Sequence, residues 1–92
     1  MENKTIFEKN LNAIAATTTL FLLASKVKDT DEMLNAVNGA ILSTVERKYA
    51  ENGKVFDIAT DEIPTDYLAE AFARLMLIAR MAAEAVSEII RK

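Results

Sequence analysis

Cysteine, histidine and tryptophan are absent from this 92-residue chain, glycine occurs twice and proline once. Without cysteine there is no disulfide. Without cysteine and histidine together there is no Cys/His zinc centre, and no thiol or imidazole to serve as nucleophile or general base. Scarce Gly and Pro leave little material for turns, which favours a few long helices over many short strands. Neither charge sign is in large excess, the formal net charge being −3. A phosphate-binding surface needs a basic field, so nucleic acid is not an expected partner, and the acidity is too mild for a nucleic-acid mimic. A long hydrophobic run is missing too. Leu11 to Ser25 is uncharged, but it stops short of the ~20 apolar residues of a bilayer span and contains Asn12, Thr17, Thr18 and Thr19. The residues from Met1 to Lys9 mix both signs, unlike the basic start of a signal peptide. A membrane is therefore not an expected partner, and the expected location is cytoplasmic.

What remains is an ordinary globular composition, 51% apolar and 27% charged. It is expected to form one domain over residues 1–92, near the lower end of what folds alone.

The C-terminal segment from Pro64 to Arg91 carries the clearest signal. Pro64 opens it, Thr65 is placed to cap the first turn, Asp66 suits the positive helix end, and Arg91 and Lys92 suit the negative end. Leu68, Phe72, Leu75, Ala79, Ala82, Val86 and Ile89 recur at spacings of four and three, the a and d positions of a heptad. Both flanks, Ala69-Met76-Ala83-Ile90 and Ala71-Ile78-Ala85, are wholly apolar. At about 100° per residue the apolar arc is roughly 160° wide, well beyond the ~100° stripe of an ordinary surface helix. Glu70, Arg74, Arg80, Glu84, Glu88 and Arg91 share the remaining face.

Two further helices are expected. The first runs from about Thr5 to Lys26 or Lys28, with Phe7, Leu11, Ile14, Thr18 and Phe21 on one stripe and Ala13, Ala16, Leu20, Leu23 and Val27 on the opposite one. The threonine run weakens its helix propensity. The second runs from about Asp31 to Glu51, with Leu34, Val37, Ile41 and Val45 toward the core, Gly39 as an internal weakness and Asn52-Gly53 as its stop. Lys54 to Ile63 then makes a connection anchored by Val55, Phe56 and Ile58. Asn-Gly is also a hairpin signal, so the competing reading is α+β, with a β-hairpin at about residues 41–59. The expected fold is all-α: a three-helix bundle with a long C-terminal helix, completed by homo-oligomerisation.

That last expectation is geometric. The final helix is about 42 Å long, whereas a compact domain of this size is about 32 Å across. It overhangs unless the bundle is elongated or a partner covers it, and the first helix needs cover on two sides. A two-fold dimer is the simplest answer. Ala79, Ala82 and Ala83 permit close helix approach, with Leu20, Leu23, Met76 and Ile90 supplying bulk around them, so these seven residues are the expected interface.

Chemistry is sparse. A magnesium site on helices needs acidic residues converging from two of them, yet Glu84 and Glu88 are bordered by Arg80 and Arg91, and Glu46 and Glu51 are scattered. Asp29-Asp31-Glu32 and Asp57-Asp61-Glu62-Asp66 lack the glycine and closing glutamate of a calcium loop. Ser25 and Lys26 are adjacent on a helix and do not face each other as a dyad would. No metal site and no cofactor is expected, and the chain is not expected to be an enzyme. Lys26, Arg47, Lys48 and Tyr49, with Lys28 and Lys54 nearby, are the candidate anion-binding residues, although an up-down pair of helices separates them within one subunit.

The expected function is that of a non-enzymatic helical interaction protein, an inhibitor, adaptor or assembly factor that binds another macromolecule, with a protein as the expected partner. Small accessory proteins of phages and mobile elements are often built this way, an analogy of class only. The alternative is an oligomeric module that captures a small anionic ligand, such as a nucleotide, at a subunit interface.

Overall fold

The computed structural model describes residues 5–91. Met1–Lys4, the Arg91 side chain and Lys92, with their expected roles at the chain's start and at the negative helix end, lie outside the described residues. Three helices make up the fold, α1 (Ile6–Ser25), α2 (Asp31–Glu51) and α3 (Thr65–Arg91). The protein is all-α, with no strand among the described residues.

Local chemistry sets the helix ends. The Thr5 hydroxyl accepts from the Glu8 N–H and the Thr30 hydroxyl from the Met33 N–H, each at 3.2 Å, giving α1 and α2 side-chain N-caps. Lys26 closes α1 in the left-handed region at φ 58°, and the Val27 N–H reaches back to the Leu22 carbonyl at 3.1 Å. Gly53, at φ 74°, supplies the left-handed residue that ends α2. Thr65 is not the cap that the sequence suggests. It is the first helical residue, and the Pro64 carbonyl accepts from Tyr67 and Leu68.

Residues 41–51 are helical, and the hairpin alternative fails on packing. Thr44 and Val45 are neighbours in sequence and both are buried, whereas a strand would send them to opposite faces. The threonine run in α1 is tolerated because its hydroxyls are satisfied. Thr17 and Thr19 donate to the carbonyls four residues back, at 2.8 and 2.9 Å, and Thr18 donates to Asn38 Oδ1 on α2.

Ring and ion contacts give the helix directions. Asn10 touches the segment before α3, and the Phe21 ring lies 6.5 Å from Phe72, edge to face, so α1 and α3 run parallel. Tyr49 packs edge-on against Tyr67 at 5.6 Å while Arg47 and Lys48 pair with Glu70, so α2 runs antiparallel to α3. Ile14, Phe21, Leu22, Val37, Ile41, Val45, Ile63 and Ala71 form the core. Leu34 packs at its margin, while Phe7 and Leu11, expected on the core stripe of α1, are more than two-fifths exposed. Their place is taken by Asn10, one turn along and 1% exposed.

Asn10 holds the long connection. Its Nδ2 donates to the carbonyls of Ile58 (2.8 Å) and Asp61 (2.7 Å), and its Oδ1 accepts from the Ile63 N–H (3.1 Å). Phe56 lies 4.9 Å from the Tyr49 ring, and Ile58 packs on the core margin. Val55 anchors nothing, being 93% exposed. The polar clamp and two side chains suffice to fix the loop, so the third apolar residue is left outside.

Candidate interaction surface

The apolar face of α3 has two fates. In its first half, Leu68, Ala71, Phe72, Leu75, Met76 and Ala79 pack against or line the core. Every residue from Met81 to Ile90 is exposed. The cause lies in helix lengths: Phe21 sits beside Phe72, and α1 ends only four residues further on, at Ser25. α1 is therefore spent at about the level of Met76, and past Ala79 no residue of α3 packs on the core. The molecule is accordingly elongated, 56 × 33 × 19 Å with a radius of gyration of 15.3 Å, against about 12 Å for a compact chain of this length.

The overhang keeps its core-like composition. From Ile78 to Ile90 the polar side chains are Arg80, Glu84, Ser87 and Glu88. At about 100° per residue they occupy one sector and leave an apolar arc roughly 200° wide. Ile78 and Val86 are more than half exposed, Ile89 and Ile90 about three-quarters. A bared Leu, Ile or Val side chain forgoes about 2 kcal/mol of burial, or roughly 100 Å² of apolar surface. Together with Ala82, Ala83 and Ala85 the uncovered face amounts to several hundred Å², at or above the limit for a typical monomer.

The seven expected interface residues divide into three groups. Ala82, Ala83 and Ile90 lie on the overhang, and Met76 and Ala79 sit half-buried at its base. Leu20 and Leu23 are exposed on α1, off the stripe that packs in the core. Val86 and Ile89, which continue the same heptad positions, carry as much uncovered surface. Sequence periodicity places them correctly on the apolar face but gives no means of telling where the neighbours stop.

The α1–α2 turn forms an open groove of about 500 Å³ that no α3 residue lines; with Phe21 beside Phe72 and α1 ending at Ser25, it lies about level with Met76 to Ala79. Leu22, Leu23, Val27 and Leu34 line it, and Lys26, Lys28 and Asp29 rim it. This concavity is not visible in the sequence, because it depends on Lys26 turning the chain in the left-handed region.

The candidate anion-binding residues are not assembled within one subunit. Lys26 caps α1 at the turn, whereas Arg47, Lys48 and Tyr49 occupy the far end of α2. There the charges are already paired: Lys48 Nζ is 3.3 Å from Glu70 and 3.8 Å from Glu51, and Arg47 is 3.4 Å from Glu70. The hydrogen bond and charge of Glu70 raise the Lys48 pKa above its ordinary value. The Tyr49 hydroxyl donates to the Glu62 carbonyl at 2.8 Å, and burial raises its pKa. These groups lock α2 to the loop and to α3.

The acidic clusters serve local structure. Asp57 Oδ1 accepts from the Ala59 N–H and Asp61 Oδ2 from the Asp57 N–H, closing a turn, while Asp31 and Glu32 occupy the first turn of α2. Among the described residues no group of three or more acidic side chains is placed to hold a metal ion, and no helix is long and apolar enough to cross a membrane. No family model matches the chain, and no curated protein or solved structure is significantly similar to it.

Proposed function

We propose that this is a non-enzymatic helical interaction protein, an inhibitor, adaptor or assembly factor that acts by binding another protein through the overhanging half of α3. One observation carries the reading. A helix that is apolar over more than half its circumference is left without neighbours from Met81 to Ile90. The reading places the protein in the cytoplasm, where such accessory chains of phages and mobile elements act.

The test is a substitution in the overhang, outside the core. Val86→Glu leaves the bundle's packing untouched, because Val86 is more than half exposed and makes no part of the core. Purified from its host with mild cross-linking, the wild-type chain is expected to carry a stoichiometric protein partner that the variant has lost, with unchanged helical circular dichroism. Recovery of the same partner by both chains would refute the reading.

The alternative, an anionic-ligand module built at a subunit interface, has weaker support, since Glu51 and Glu70 already neutralise Arg47 and Lys48. A thermal-shift screen against nucleotides separates the two, because saturation at 100 times Kd stabilises by about 2.7 kcal/mol.

A further inference from the structure

We infer that, until a target protein takes its place, the overhang is covered by a second copy of this chain, in a two-fold antiparallel arrangement that seats the tail of each α3 against the α1–α2 turn of the other. This rests on the reading of the overhang as the working surface and names its occupant in the unbound protein.

Two overhangs match each other in length. The uncovered stretch from Met81 to Ile90 spans about 15 Å. When two such stretches lie side by side in opposite directions, Ile90 of one comes alongside the level of Met81 of the other. That is just past the level of the α1–α2 turn, since Ala79 is the last α3 residue packed on the core. The end of each helix therefore arrives at the groove of its partner. The midpoint of the overlap falls between Ala85 and Val86, and Ala82 of one chain comes level with Ile89 of the other, so that a small residue meets a large one.

Groove and tail are also complementary. The groove is apolar at its floor, through Leu22, Leu23 and Leu34, and net basic at its rim, where Lys26 and Lys28 outweigh Asp29. The tail is apolar through Val86, Ile89 and Ile90, with Glu88 bordering that face, and Arg80, Glu84 and Glu88 leave its polar sector net acidic. Each matches the other in polarity and in sign, and two-fold symmetry makes the match twice. Ile78, Met81, Val86, Ile89 and Ile90 are each more than half exposed; at roughly 100 Å² apiece, with the alanines and the groove floor added, they are of the order of the ~800 Å² per partner of a stable interface.

A membrane surface fits less well. The polar sector from Arg80 to Ser87 and Glu88 sets one arginine against Glu84 and Glu88, with no excess of the basic charge that holds an amphipathic helix on anionic lipid.

Analytical ultracentrifugation of the full chain at 1–100 µM decides the matter. The expected species has twice the 10.2 kDa mass of one chain. Val86→Glu is expected to raise the dimer Kd about a hundredfold or more, because each dimer then buries two unpaired carboxylates. Leu77→Glu, on the charged sector, is expected to leave it unchanged. Lys28→Glu and Glu88→Lys are each expected to weaken the dimer several-fold to tenfold, and the double variant to recover most of the loss. A monomer throughout the concentration range overturns the inference, as does a dimer indifferent to Val86→Glu or a charge swap that fails to rescue. If the chain is monomeric yet Val86→Glu still abolishes capture of a host protein, the occupant is wrong and the working surface stands. If Val86→Glu affects neither measurement, both fall.

Discussion

Replacing Asn10 by alanine removes three hydrogen bonds that join α1 to a segment about fifty residues away, at 2.7, 2.8 and 3.1 Å. The Ile63 N–H is buried with Asn10 and has no water to fall back on, while the Ile58 and Asp61 carbonyls are partly accessible and recover some hydration. At about 1 kcal/mol net for each bond, with the higher end of the range for the stranded N–H, the loss comes to about 3 kcal/mol. For a domain of this size that lowers Tm on the order of 15 °C. Asn10→Asp sharpens the test, since it keeps the Oδ1 acceptor but turns an oxygen, not an N–H, toward the two carbonyls. Their proximity disfavours the carboxylate, so the folded state raises its pKa above the ordinary ~3.9. The folded state then holds this proton more tightly than the unfolded state does. Stability from this site is fully present below the unfolded pKa and is lost as pH rises through the folded one. Urea unfolding from pH 3 to pH 7 checks both variants. The deficit of Asn10→Asp relative to wild type should shrink toward pH 3, and the deficit of Asn10→Ala should stay level. A loss below about 1 kcal/mol for Asn10→Ala, or parallel pH profiles for Asn10→Asp and wild type, would refute the clamp.

Gly39→Ala should stabilise the fold by about 0.5–1 kcal/mol, because the added methyl group meets nothing within 4 Å and α2 gains a better helix former; a lower Tm would contradict this. Alkali should destabilise the protein, since Lys48 and Tyr49 both hold their protons more tightly in the folded state than at their ordinary values of 10.5 and 10.0. Their contributions are complete below those values and are lost as pH rises through the higher folded ones, so the urea midpoint should fall above about pH 10. Tyr49→Phe should be less stable near neutrality but fall less steeply in alkali.

Most of the fold is legible in the sequence, for identifiable reasons. Thr30 followed by Asp31 and Glu32, and Asn52-Gly53 at the other end, delimit α2 to the residue because capping is a local matter. The heptad Leu68-Phe72-Leu75-Ala79 marks the packed face of α3 because helical periodicity is also local. Burial is not local. Phe7 and Leu11 share a stripe with Ile14, yet the core takes Asn10 in their stead, because the connection before α3 offers two carbonyls and an N–H at that point. Nothing in the residues around Asn10 announces partners so far along the chain. The candidate surface is legible to the same degree. Ala82, Ala83 and Ile90 are readable as apolar helix positions, but the boundary at Ala79 depends on where α1 ends in space, and the groove depends on the backbone turn at Lys26.

The threonines of α1 bear on how readily that groove gives up its water. Thr19 lines it, and its hydroxyl is already committed to the Ala15 carbonyl of its own helix. A free hydroxyl would have to be stripped of solvent, at a penalty, by anything settling there. One turned back on its own helix presents mainly its methyl group, and Ser25 is bonded to the Phe21 carbonyl in the same way, at 2.7 Å. Thr19, polar in the sequence, thus gives the groove a dry patch of wall, and contact with it strands no donor.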